Sequence, residues 1–322
     1  MAVYTEVTDE ALRSFLADYP LGDLIAFRGI AEGVENSNYA LKTETGDFIL
    51  TLYEKRVDPA ELPYFLGLMD HMAARGLACP VPVKGLDGHA LRSLADRPAA
   101  ICTFLPGVWP RRVRVEHCGP VGDALAAMHD AAGDFSLSRP NTLGPHGWLP
   151  LLDGCRGAAM PAEGVFEELQ GALRRTLEEW PHALPVGQIH ADLFPDNVFF
   201  LNNGPVPRVS GIIDFYFACT DLLAYDVAVC LNAWCFEPDF SFNITKARAL
   251  LAGYRARRVL THAEIEALPV LCRGAALRFA LTRLYDWANT PQGAMVTRKD
   301  PMDYVRRLRF HTAARGPEAY GL

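Results

Sequence analysis

The stretch that most limits what this chain can become is Gln188-Ile-His-Ala-Asp-Leu-Phe-Pro-Asp-Asn197. It is followed by the apolar run Val198-Phe199-Phe200, a turn, and Gly211-Ile212-Ile213-Asp214-Phe215. A polar loop, an apolar strand, a turn and a second apolar strand ending in a carboxylate predict a hairpin that folds back onto its own entry loop. Asp192 then faces outward from the loop. Asn197, five residues on, lets the loop turn back and present an amide oxygen, and Pro195 fixes that turn. Asp214 stands at the end of a rigid strand, a good place from which to aim a second carboxylate. A hard cation such as Mg²⁺ takes oxygen ligands and keeps few from the protein. One carboxylate to orient a hydroxyl, with an amide and a carboxylate to hold metal against phosphates, is the set required for phosphoryl transfer from a metal-bound nucleotide. Taken singly, Asp, Asn and Pro are ordinary turn residues; the full pattern H-x-D-x-x-x-x-N with its downstream Asp is what points to chemistry.

Two neighbours of the loop are expected to support it. His190 has no second His or Cys at metal-ligand spacing, so it reads as a packing and hydrogen-bonding group that holds the loop, not a ligand. Asp226 opens Asp226-Val-Ala-Val-Cys-Leu and serves as a helix N-cap, as a brace to the catalytic loop, or as both. His129, on an apolar helix face, reads as a satisfied core histidine.

The chain upstream of Leu105 reads as an antiparallel meander with one inserted helix. Thr8 caps a short helix carrying Leu12, Phe15 and Leu16. A β region over 23–29 leads to the polar turn Gly33–Asn38, which can point backbone N–H groups at phosphate. Strands at 39–43 and 48–53 follow. A helix begins at Asp58-Pro59-Ala60, shows Leu62, Phe65, Leu66, Met69 and Met72 on one face, and stops at Arg75-Gly76. Cys79–Val83, Ala90–Leu94 and Ala99–Phe104 are three more strand candidates before the break at Leu105-Pro106-Gly107. Beyond Val115 the pattern is helical: 118–129, 164–180, 222–236, 244–256, 262–288 with a break near Pro269, and 301–314. Residues 133–162, rich in Gly, Pro and Ser, read as a loop or accessory excursion. The expected fold is α+β and two-lobed. Residues 1–105 form a small antiparallel-sheet lobe for nucleotide, and 106–322 a helical lobe for catalysis and acceptor, with a hinge at about 101–107. In such a fold adenine lies against the connecting strand, here the backbone of Ile101, Thr103 and Phe104.

Composition removes several rival classes. The net charge is −7, so there is no basic surplus for nucleic acid, and the short arginine runs at 111–114 and 255–258 read as solvated faces. Eight cysteines sit mostly in apolar runs without a C-x-x-C pair, which suits a reducing, cytoplasmic setting. No window reaches the roughly 18 apolar residues a membrane span needs, so no membrane partner is expected.

At Gly33-Val-Glu-Asn-Ser-Asn-Tyr-Ala-Leu41, Phe48-Ile-Leu-Thr-Leu-Tyr-Glu-Lys55, the 188–197 loop and Gly211-Ile-Ile-Asp-Phe-Tyr216, the chain resembles the aminoglycoside-phosphotransferase/choline-kinase group. The resemblance runs nearly end to end. It implies a protein-kinase-like fold and ATP with Mg²⁺ as cofactors. It makes Asp192 the catalytic carboxylate, has Asn197 and Asp214 hold Mg²⁺, and lays Gly33, Asn36, Ser37 and Asn38 over the phosphates. Within the group it is most similar to the members that phosphorylate homoserine in threonine biosynthesis. One departure stands out. The strand lysine that usually grips the phosphates and pairs with a helix glutamate is Thr51 here, with Lys42 and Lys55 nearby and Glu61 on the next helix.

A zwitterionic small-molecule acceptor needs a cation for its carboxylate and an acid for its ammonium. Arg283, Asp286 and Trp287 are the candidates from the C-terminal lobe. Two other readings stay open. A cationic acceptor such as choline, ethanolamine or an aminoglycoside would want an aromatic pocket, for which Trp109, Trp148, Trp234 and Trp287 are available. A non-catalytic nucleotide-binding module is favoured only by the missing lysine, and the presence of Asp192, Asn197 and Asp214 together argues against it. Nothing in the sequence bears on oligomeric state.

Overall fold

The computed structural model describes residues 4–30, 36–54, 58–201, 207–289 and 298–322. Helix α1 (Asp9–Leu16) opens on Thr8, whose hydroxyl accepts from Ala11 N at 3.2 Å. Strands β1 (Leu24–Gly29), β2 (Ser37–Thr43) and β3 (Gly46–Leu52) follow as a meander. A 3-10 turn at Pro59–Glu61, capped by Asp58, leads into α2 (Leu62–Ala74). Strands β4 (Leu91–Leu94) and β5 (Arg97–Thr103) complete an antiparallel sheet of order β1-β2-β3-β5-β4. The remainder is mostly helical: α3 (Val115–Ala131), α4 (Pro145–Asp153) and α5 (Val165–Glu178) come first. Then come the short strands β6 (Val186–Ile189), β7 (Val198–Leu201), β8 (Arg208–Ile212) and β9 (Cys219–Leu222). Helices α6 (Leu223–Trp234), α7 (Ile244–Arg257), α8 (His262–Asn289) and α9 (Met302–Ala313) close the chain. This is the expected α+β, two-lobed, protein-kinase-like arrangement.

Period-2 patterning gives the sheet two working faces. Tyr39, Leu41, Phe48, Leu50, Leu52, Ala99 and Ile101 pack with Leu12, Phe15 and Leu16 of α1 in a small core. Each such Leu or Phe contributes about 1.5–3 kcal/mol by leaving water. On the other face Ala100 and Cys102, with Tyr53 just past β3, join the large core that runs through the helical lobe. Asn38, Ala40, Ile49 and Thr51 share that second face, the one turned toward the cleft.

The helical lobe is drawn tight where α3 crosses α7. A Cβ added to Gly122 would lie 2.0 Å from the Leu250 carbonyl, and one on Gly253 2.0 Å from the Gly119 carbonyl. The two backbones touch, which only glycine permits, and this brings His129 of α3 against Tyr254 of α7 at 2.8 Å.

Four expectations are corrected. Residues 133–162 contain helix α4, started by Pro145 at its first turn and anchored by the fully buried Trp148 and Leu152. Cys79–Val83 is not a strand. Pro80 and Pro82 remove two ladder donors, leaving one isolated bridge, Pro82 to Cys102, flanked by bonds from Val83 N to Ile101 O and Thr103 N to Val81 O. Helix α8 does not break near Pro269; the burial of Leu268, Leu271 and Cys272 around it outweighs the roughly 3 kcal/mol a mid-helix proline costs. Ser37 and Asn38 belong to β2, paired with Leu52 and Thr51, and not to the turn before it. Among the described residues no helix is long and apolar enough to cross a membrane.

Candidate active site

Strand β6 delivers the chain into the loop at His190. Ala191 turns it through a left-handed conformation, φ +62°. The six residues from Asp192 to Asn197 close on themselves. Phe194 N donates to Asp192 O at 2.8 Å, Asn197 N to Phe194 O at 3.0 Å, and Asn197 Nδ2 to Asp192 O at 2.8 Å. Spending the amide nitrogen this way orients Oδ1, the atom able to bind a hard cation, away from the loop interior. Asn197 is itself buried. The β7–β8 hairpin then returns the chain, and Asp214 follows β8 with φ +64°. Ile213 joins the two segments: its N–H donates to Asn197 O at 3.0 Å and its carbonyl accepts from His190 Nε2 at 2.9 Å. The fold thus brings Asp192, Asn197 and Asp214 to one place by backbone bonds. The donor set at Asn197 and Asp214 is all oxygen, which fits Mg²⁺.

His190 is wholly buried and acts inside the loop. Its Nδ1 accepts from Asp192 N at 3.3 Å while Nε2 donates to Ile213, which is the neutral Nε2–H tautomer. Burial, which pushes its pKa down, agrees with that tautomer. Asp226, in the first turn of α6, caps no helix here; the carboxylate reaches the loop. Oδ2 accepts from His190 N at 2.7 Å and His129 Nε2 at 3.2 Å, and Oδ1 from Ala191 N at 2.9 Å. Burial pushes this carboxyl up, but the bond and charge of His129 and the donors at His190 outweigh it, and the net shift is downward. His129 Nδ1 hydrogen-bonds in turn with Tyr254 Oη at 2.8 Å, which accepts from Arg258 Nη1 at 3.1 Å, and Arg258 Nη2 pairs with Glu264 at 2.8 Å.

Asp192 differs from Asp226 in keeping a fifth of its side chain exposed. Burial pushes its carboxyl up; Arg278 and Lys299 oppose this by their charge, and Asp196 adds to it. Arg278 of α8 was not singled out from the sequence. Its Nη1 donates to Ala191 O, and its Nη2 lies 4.0 Å from Asp192 Oδ1. The signal was available: an arginine inside the apolar run Leu277-Arg278-Phe279-Ala280-Leu281 is a buried charge that needs a partner.

The nucleotide-facing residues are distributed differently from the expectation. Gly33 and Lys55 lie outside the described residues. Asn36 Oδ1 accepts from Glu54 N at 3.2 Å. Ser37 Oγ accepts from Tyr4 N and Thr5 N and donates to Glu54 at 2.8 Å, so it straps the N-terminal segment to β2. Thr51 Oγ1 donates to Asn38 Oδ1 at 2.8 Å. Lys42 shares the face of Asn38 but stands four residues along β2, about 13 Å away at roughly 3.3 Å per residue, opposite Asp47. That is the hinge end of the sheet, where Phe104 N bonds Asp47 O. Glu61 pairs with Arg139 Nη2 at 2.9 Å, and Arg139 Nη1 reaches Ala218 O at 3.3 Å just after the Asp214 segment. A C-lobe arginine therefore takes the glutamate where a strand lysine was expected. At the hinge, Ile101 O, Thr103 N and Phe104 N already bond Val83 N, Val81 O and Asp47 O. These three backbone groups are used within the protein, and the side chain of Phe104 is exposed.

The proposed acceptor residues all stand in the last turns of α8. Arg283 Nη1 binds Asp303 Oδ2 at 3.1 Å and Asp300 O at 3.2 Å, with its guanidinium over Tyr304, tying α8 to α9. Asp286 is exposed, and the Trp287 carbonyl accepts from Arg298 Nη1. Two of the four tryptophans available for a cation pocket are not free to line one. Trp148 and Trp234 are wholly buried, and their indole N–H groups are spent on Leu143 O and Leu193 O.

The phosphotransferase enzyme family matches residues 26–260. The chain is 67% identical to the homoserine kinase of Granulibacter bethesdensis and 65% identical to that of Acidiphilium cryptum, over the whole length of each. It is 55% identical to the homoserine kinase of Rhizobium johnstonii, covering all of this chain and 99% of that one. Among solved structures, a microcompartment-associated aminopropanol kinase superposes with a TM-score of 0.66 at 18% identity, covering 95% of this chain and 97% of its own. Amicoumacin kinase hAmiN, in complex with AMP-PNP and Ca²⁺, gives 0.68 at 15% identity, covering 95% and 92%. At these identities the two structures speak to the fold.

Proposed function

The chain belongs to the phosphotransferase enzyme family, and from that premise we infer that it transfers the γ-phosphoryl group of ATP to the side-chain hydroxyl of L-homoserine, giving O-phospho-L-homoserine for threonine biosynthesis. The observation that carries this reading is the 55–67% identity to homoserine kinases from end to end. In this reading nucleotide and acceptor meet between lobes divided at 105/106, with the hinge at about 101–107.

Asp192 orients the acceptor hydroxyl and takes its proton as the oxygen attacks the γ-phosphorus and ADP leaves. Asn197 and Asp214 would hold Mg²⁺, which when bound screens the charge that develops on the phosphate oxygens. His190 and Asp226 keep the loop in register and do no proton transfer. The Glu61–Arg139 pair fixes α2 to the segment after Asp214, a role the strand lysine and helix glutamate fill elsewhere. The partner is a small molecule, not nucleic acid or membrane. Cytoplasmic residence is supported by eight cysteines that are all free and buried. The buried Trp148 and Trp234 count against a cationic acceptor.

Phosphorus NMR of the protein with Mg-ATP and L-homoserine tests the reading. A phosphomonoester signal growing with ADP, and absent when Mg²⁺ is chelated, is expected. ADP formation without a homoserine phosphoester would refute it.

A further inference from the structure

We propose that Arg278 is a positioning residue for the phosphoryl transfer, holding the Ala191–Asp192 peptide by its carbonyl and setting a fixed positive charge beside the Asp192 carboxylate. The inference rests on the reading of Asp192 as the group that takes the acceptor proton.

Three observations carry it. First, Arg278 bridges two adjacent residues of the loop with separate arms: Nη1 donates to Ala191 O, and Nη2 lies 4.0 Å from Asp192 Oδ1. Second, the residue it holds needs holding. Ala191 has φ +62°, a conformation that disfavours any side chain with a Cβ. Asp226 fixes the Ala191 N–H from one side and Arg278 its carbonyl from the other. Third, the guanidinium is isolated from water, and Asp192 is the carboxylate it faces. Its side chain is 3% exposed, it stacks on Phe279 at 4.3 Å and Phe217 at 5.5 Å, and its Nε has no hydrogen-bond partner. A buried cation costs several kcal/mol unless a nearby anion offsets it, and Asp192 is the anion it faces. The separation of 4.0 Å is too long for a hydrogen bond, so the carboxylate oxygens remain available to an acceptor hydroxyl while feeling the charge. Lysine cannot reproduce the two-armed geometry.

The test compares wild type, Arg278→Lys and Arg278→Met with Asp192→Asn in one assay. It reads kcat and KM for homoserine, Kd for Mg-ATP and the thermal unfolding midpoint. We expect kcat to fall at least 30-fold in Arg278→Met and at least tenfold in Arg278→Lys, with Mg-ATP Kd within threefold of wild type. Guanidinium ion added to Arg278→Met should recover part of the lost rate, and urea, neutral and of similar shape, should not. If Arg278→Met does not fold, the lysine variant decides alone. A kcat within threefold of wild type in the folded variants overturns the proposal. So does a loss of kcat matched by an equal loss of Mg-ATP affinity, the mark of general disruption. A wild type that turns over no homoserine, or an Asp192→Asn variant as active as wild type, would instead refute the underlying function or the role of Asp192.

Discussion

Asp226 accepts three hydrogen bonds at zero exposure, from His190 N, Ala191 N and His129 Nε2. Asp226→Ala would orphan all three donors in a dry site. The loss should be on the order of 3–5 kcal/mol, read as a drop in urea midpoint at pH 7. Asp192→Asn is the contrasting case. The amide is isosteric, the loop bonds run through the Asp192 backbone, and folding should be preserved. We expect kcat to fall about 10²–10⁴-fold with Mg-ATP affinity held, measured by steady-state kinetics and calorimetry. Both residues were legible in the sequence because they sit within, or just downstream of, one short motif. Arg278 was not, because its partner lies 87 residues away and only packing brings them together. Arg283, a sequence candidate for the acceptor carboxylate, pairs with Asp303 of α9, a partner that the chain alone does not reveal.

At the scale of elements, the α3–α7 crossing is the contact on which the brace depends. Gly122 and Gly253 let the backbones meet, and His129 and Tyr254 sit on those same two helices. Gly122→Ala should force the helices apart, costing about 1–3 kcal/mol by denaturant unfolding; retention of full stability would contradict the crossing. Elements with strong periodicity, such as β2, β3, α2 and α5, could be read directly from the chain. Those that could not are the ones where local signals and packing disagree. Prolines and glycines in 133–162 masked α4, whose Pro145 starts a helix instead of ending one. Pro269 suggested a break that the burial of α8 overrides. The turn signal of Asn36-Ser37-Asn38 gave way to strand pairing, because Ser37 and Asn38 have Leu52 and Thr51 opposite them.

For the whole molecule, the buried neutral histidines set a pH dependence. His311 is wholly buried between Tyr320 and Asn232, and burial, helped by Arg307 and Arg273, pushes its pKa from 6.5 down to about 3. His190 is shifted the same way by burial. Between those values the unfolded chain binds the proton and the folded chain does not. For His311, stability therefore falls as pH drops from about 6.5 toward 3, by about 1.4 kcal/mol per pH unit; His190 adds a loss of the same sign. Urea midpoints at pH 7 and pH 5 should differ accordingly; a flat profile would contradict neutral burial. The fold is shared with solved kinases as distant as 15–18% identity and carries no acceptor identity. That identity rests on likeness to homoserine kinases along the full chain. The most direct test offers the protein homoserine, choline, ethanolamine and an aminoglycoside at equal concentration with Mg-ATP and measures each phosphorylated product. We predict a kcat/KM for homoserine at least tenfold above every other acceptor. A rate on choline, ethanolamine or the aminoglycoside equal to or above that on homoserine would contradict the assignment.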